Sequence, residues 1–166
     1  MKRCFLLFIV VLFSSFVSYK DEAVSLYRKE YRTANKDSSS CAALYNKVVK
    51  NTSKDNLIAG YKGAVTMMYA GFVKDRAEKL RLFKSGRNIL EKAIEGDKEN
   101  PELILLRFTI QTNAPKILGY NKEMERDKKM LLAKFNTIDD KEVKKSIRTF
   151  LLESKQLSNE EKAGLK

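Results

Sequence analysis

From Glu22 to the C-terminus, apolar residues recur at spacings of three and four, and an oxygen-bearing side chain precedes most of these stretches. This is the pattern of amphipathic helices with polar caps. The first segment sets Ala23, Leu26, Tyr27 and Tyr31 on one side, Arg28, Lys29 and Arg32 on the other, and ends near Asn35. Asp37-Ser38-Ser39-Ser40 offers caps for a second helix whose stripe is Cys41, Leu44, Tyr45, Val48 and Val49. Asp55 opens a third, apolar around most of its circumference through Leu57, Ile58, Tyr61, Ala64, Val65, Met68, Tyr69 and Phe72, which predicts the central buried helix. Gly60 and Gly63 would be costly in an exposed helix, at ~1 kcal/mol each against Ala, so they predict close approach of a neighbour, whereas Gly71 ends the helix.

Asp75 starts the next element, with one ridge of Leu80, Phe83, Leu90 and Ile94 and an adjoining one of Leu82, Gly86, Ile89 and Ala93. Gly96 closes it, Asn100 caps its successor, and Pro101 suits the first helical position. Ile104, Leu106, Phe108 and Ile110 alternate as a strand would, yet the start signals and the lack of a partner strand favour helix. Pro115 to Tyr120 reads as a tight apolar turn. Two amphipathic helices follow, one from Asn121 with Met124, Leu131, Phe135 and Ile138 inward, the other from Asp139 or Asp140 with Val143, Ile147, Phe150 and Leu151 inward. Ser158 and Glu161 make a capping box for a last short turn. The class is all-α, in antiparallel helical hairpins.

The N-terminus departs from this pattern. Lys2 and Arg3 lead into the apolar run Phe5 to Phe13, followed by Ser14, Ser15 and Ser18, which is the plan of an export signal and too short for a stable span of ~20 residues. Residues 1–18 are therefore expected to be a signal peptide or an uncleaved N-terminal anchor, and residues 19–166 one helical domain that works in the periplasm or outside the cell. Only Cys41 remains beyond that segment, so no intramolecular disulfide is available, and a small buried residue on a helix is the simpler reading of its thiol.

Composition narrows the chemistry. The chain has no histidine, the commonest general base and transition-metal ligand, and no tryptophan. Triad hydrolysis and zinc chemistry are not expected, nor is a cofactor or metal. A net charge of +12 suggests attraction to anionic surfaces, and for an exported chain those are lipid headgroups, glycans or an acidic partner rather than nucleic acid. Lysines that merely solvate helix faces give the same charge.

Gly86, Leu90 and Ala93, followed by Asp97-Lys98-Glu99-Asn100-Pro101-Glu102, resemble the second helix and inter-repeat turn of a tetratricopeptide repeat, and the helix of Gly60, Tyr61 and Ala64 resembles a degenerate first helix. The likeness covers one hairpin, with Lys98 where the repeat's proline stands. It implies packed helical hairpins, in a tetratricopeptide-like or irregular bundle. The string from Arg107 to Tyr120 also resembles one in short uncharacterised exported bacterial proteins, which implies an address and a helical fold but no activity.

Arg107, flanked by Leu103, Leu106, Phe108 and Ile110, is the charge that the pattern encloses most, and an enclosed guanidinium must be paired. It would anchor a carboxylate or phosphate with Gln111 and Asn113 beside it, or else form an internal ion pair. Tyr61, Tyr69 and Tyr120 would line a groove for a peptide, or pack half-buried. No carboxylate sits in the apolar setting that acid catalysis requires. The expectation is a non-catalytic interaction module of the cell envelope with a protein partner and a possible anionic membrane surface. The alternative is a protein that binds a small anionic ligand, lipid or glycan in a pocket near Arg107.

Overall fold

The structure, a computed structural model, describes residues 21–165, so the expected signal lies outside the described residues. All regular elements among them are helical: α1 (residues 21–34), α2 (Ser38–Lys50), α3 (Asn56–Ala70), α4 (Arg76–Gly96), α5 (Pro101–Asn113), α6 (Met124–Lys134), α7 (Lys141–Glu153) and α8 (Asn159–Ala163), with short 3₁₀ turns at Lys116–Leu118 and Phe135–Thr137. The protein is an all-α bundle.

Local chemistry explains the boundaries. Side chains of Asp37, Asp55, Asp75, Asn100, Asp140 and Ser158 accept hydrogen bonds from first-turn amides, each contributing about 1 kcal/mol, and Ser158 with Glu161 completes the capping box. Asn121 does not cap α6. It opens a hydrogen-bonded turn, and α6 begins at Met124 without a side-chain cap.

Antiparallel packing of α3 on α4 is fixed by glycine. A Cβ on Gly63 would stand 2.6 Å from the Leu90 amide nitrogen and 2.7 Å from the Gly86 carbonyl oxygen; one on Gly86 would stand 2.6 Å from the Gly63 carbonyl oxygen. The two backbones touch, so no side chain fits between them. Gly60 instead makes room for the Leu103 side chain of α5.

Helix α3 is not the only central element, because nine of the thirteen residues of α5 are also buried. Glu91 of α4, Asp127 of α6, Phe150 of α7, and Arg28 and Tyr31 of α1 all contact α5 side chains, which is why it carries no polar face. Helix α1 is rotated from its expected setting: Val24, Tyr27 and Ala34 are buried, Leu26 is 41 % exposed, and Arg28 turns inward to a carboxylate on α5. Leu80, expected on an inward ridge, is 43 % exposed, and Ile117, expected in an apolar turn, is 94 % exposed. At the C-terminus Leu157 and Leu165 are buried, and Lys128 pairs with Glu161, tying α8 to α6.

Candidate functional site

The polar residues of α5 build two ionic clusters. Near its start Glu102 accepts hydrogen bonds from Arg28 Nε (2.7 Å), Arg28 Nη2 (2.6 Å) and the Tyr61 hydroxyl (2.6 Å), while Arg28 also reaches Asp140 at 3.1 Å. The Glu102 hydrogen bonds raise the Arg28 pKa above its ordinary range, against the opposing effect of burial. Burial first, then the Glu102 charge, raises that of Tyr61. Tyr27 and Tyr31 pack on the Tyr61 ring, with centroids 5.9 and 5.8 Å away, and Tyr31 shares a 2.6 Å hydrogen bond with Thr109. This cluster docks α1.

One turn and a half along α5, Arg107 donates from Nε and Nη2 to both oxygens of Asp127 at 2.7 Å and from Nη1 to Glu91 at 2.8 Å. The Tyr120 hydroxyl donates to the other Glu91 oxygen at 2.6 Å, and Arg87 lies over the Tyr120 ring at 5.2 Å. Burial pulls the Arg107 pKa down, but Asp127 and Glu91 outweigh it and the net shift is upward. Arg107 is therefore an internal ion pair. A ligand carboxylate or phosphate would have to displace Asp127 or Glu91 from the guanidinium.

The other expected residues separate. Gln111 is buried with Oε1 unpartnered among the described residues, and Asn113 is exposed, its amide donating to Thr109 and Thr112. Tyr69 stacks on Tyr45 at 4.4 Å, which joins α2 to α3. Cys41 is fully buried and free, and burial pushes its thiol up to about 11. Among the described residues no group of three or more His, Cys, Asp or Glu side chains is placed to hold a metal.

What the bundle offers instead is a cleft of about 1350 Å³ on the other side of α5, around the ends of α1, α3, α5 and α7 and the start of α4. Its floor is apolar, with Met67, Met68, Phe83, Leu105, Leu106, Ile110 and Phe150. Leu80 and Ile117 line its mouth, and these are two of the four large apolar residues exposed among the described residues. Exposed Arg32, Lys36, Arg76 and Lys79 surround them. Of the expected site residues only Tyr61 and Asn113 line this cleft.

No family model, curated protein or solved structure matches the chain. The cleft and its chemistry carry the functional argument.

The cleft leaves little trace in the sequence because its lining comes from five helices and a turn. One signal was visible: Ile117 sits between Pro115 and Gly119, and Gly119 adopts φ +61. The turn leaves Ile117 in solvent while Leu118 packs against the core.

Proposed function

We propose that the protein is a non-catalytic binding module that holds an apolar segment of a partner polypeptide in the cleft between α1, α3, α4, α5 and α7. The observation that carries this reading is the size of the cleft together with Leu80 and Ile117 at its mouth. At about 1350 Å³ it exceeds the ~300–1,000 Å³ of small-molecule pockets, and an open apolar groove between helices suits a chain segment. Leaving Ile117 94 % exposed costs the protein nothing in folding and gains a contact only when something covers it. Met67 and Met68 supply an adaptable floor, as methionine does in grooves that accept varied side chains. The α3–α4 hairpin, with Gly63 against Gly86, supports a tetratricopeptide-like scaffold for such a groove. The signal read in residues 1–18 supports a partner in the cell envelope.

The test is photocrosslinking in intact cells with p-benzoylphenylalanine at position 117, and at position 145 on the exposed side of α7 as reference. The reading requires one dominant crosslinked polypeptide from position 117 that is absent from position 145. Crosslinking to lipid alone, or the same products from both positions, would refute it.

A further inference from the structure

We infer that the segment this cleft accepts is acidic as well as apolar, a short amphipathic stretch whose carboxylates meet Arg32, Lys36, Arg76 and Lys79. The inference rests on the polypeptide-binding reading above and adds the charge of the partner.

Two of these cations follow or occupy the last turn of α1, where positive charge suits the helix end. Arg76 and Lys79 do not have that excuse. They stand in the first turn of α4, the positive end of a 21-residue helix, where a cation is unfavourable. Asp75, the nearest acid in sequence, already accepts from the Glu78 amide, and the Glu78 carboxylate is held by Arg81. Among the described residues no ion pair engages Arg32, Lys36, Arg76 or Lys79. Two acids line the cleft: Glu102 is spent on Arg28 and Tyr61, which leaves Glu153 against four cations. Side chains that crowd positive charge around an apolar opening, on a helix end that disfavours it, are complementary to an anionic, apolar occupant.

The same charges argue against other occupants. The chain's own apolar run, Phe5 to Phe13, is preceded by Lys2 and Arg3, and a second copy carries the same +12. An anionic lipid satisfies the charge but not the walls, where Asn35, Ser146 and Thr149 would face an acyl chain without partners. A peptide backbone and its polar side chains pair with them.

The experiment measures binding of three fluorescein-labelled peptides of ~14 residues, about four helical turns, to the intact protein by anisotropy. All share a Leu/Ile face at helical spacing; the opposite face carries Glu, Gln or Lys. The Glu peptide should bind at least about tenfold more tightly than the Gln peptide at ~50 mM NaCl, with the advantage largely gone at ~500 mM. Arg76→Glu with Lys79→Glu should reverse the preference towards the Lys peptide, and Arg32→Gln with Lys36→Gln should weaken the Glu peptide alone. Equal binding of all three peptides, unchanged in these variants, overturns the acidic partner and leaves the polypeptide reading standing. Binding of sodium oleate, with none of the peptides bound, overturns both.

Discussion

Arg107 and Asp127 meet through two parallel 2.7 Å hydrogen bonds at a point where their side chains are 4 % and 1 % exposed. Such a pair is expensive to break on one side only, because a buried Asp127 without Arg107 keeps only the distant Arg126, at 3.9 Å. Arg107→Met should therefore destabilise the protein by about 3–5 kcal/mol, and Arg107→Met with Asp127→Leu by much less, in urea unfolding at pH 7. Burial, the largest effect on Asp127, already raises its pKa despite Arg107. A raised acid favours folding when protonated, so the Arg107→Met deficit should narrow as pH falls towards ~4, where the unfolded carboxyl also protonates.

The Gly63–Gly86 contact predicts a different loss. Either residue replaced by Ala puts a Cβ under 3 Å from backbone atoms, so α3 and α4 must separate, at a cost of about 1–3 kcal/mol or more. Gly164→Ala is the comparison. Its Cβ would meet only the Glu161 carbonyl at 3.6 Å with φ −69, and the change should be neutral or stabilising by up to about 1 kcal/mol. Urea midpoints of the three variants decide it.

Much of the fold was legible because it depends on short-range chemistry. Asp55, Asp75, Asn100 and Ser158 mark helix starts through their own hydrogen bonds, and Gly60 and Gly63 declare a close neighbour without naming it. The misses share one cause. Leu26 and Leu80 fit an apolar stripe, yet which edge of a stripe is covered depends on the helix that packs there. Arg28 reads as a solvated charge until Glu102, 74 positions away, comes beside it. Arg107 was recognised as enclosed, but its partners lie on α4 and α6, and nothing local chooses between a ligand and a carboxylate of the chain. A cleft assembled from helix ends leaves still less trace, beyond an apolar side chain in a turn.

Stability should fall steeply at alkaline pH. Burial, the largest effect in each case, raises Tyr31, Tyr61 and Tyr120, and pushes the Cys41 thiol up to about 11. In the unfolded chain the thiol ionises near ~8.5 and the phenols near ~10, while the folded groups stay protonated. The unfolded state then binds fewer protons, so stability is full below ~8.5 and lost as pH rises from there. Urea midpoints at intervals from pH 7 to 11 test this, and Cys41→Ala should flatten the first part of the decline. The native thiol should also resist iodoacetamide at pH 8 and react on unfolding.

Helix α1 is held by Glu102 as well as by its own buried stripe of Val24, Tyr27 and Ala34. Tyr61→Phe, which removes one hydrogen bond to that carboxylate, should cost about 1 kcal/mol. Glu102→Ala leaves the Tyr61 hydroxyl without its partner and Arg28 with Asp140 alone, and should cost about 2–3 kcal/mol. Hydrogen exchange locates the effect: amides of residues 21–34 should lose protection before those of α3 and α4.

Ile117→Ser, at a side chain that already faces water, should leave unfolding within about 0.5 kcal/mol of the parent, and Leu80→Ser, at one 43 % exposed, should cost no more than about 1.5 kcal/mol. A larger loss would mean that these residues serve the core rather than the cleft.

The measurement that bears most directly on the cleft is methyl NMR of the intact protein, labelled at Met, Leu and Ile, titrated with the Glu-faced peptide. Saturable shifts are expected at Met67, Met68, Leu80, Leu105, Ile110 and Ile117, with Leu131, Ile147 and Leu44 unmoved. Shifts centred on α6 and α2, or no saturable shift at any of these methyls, would contradict binding in the cleft.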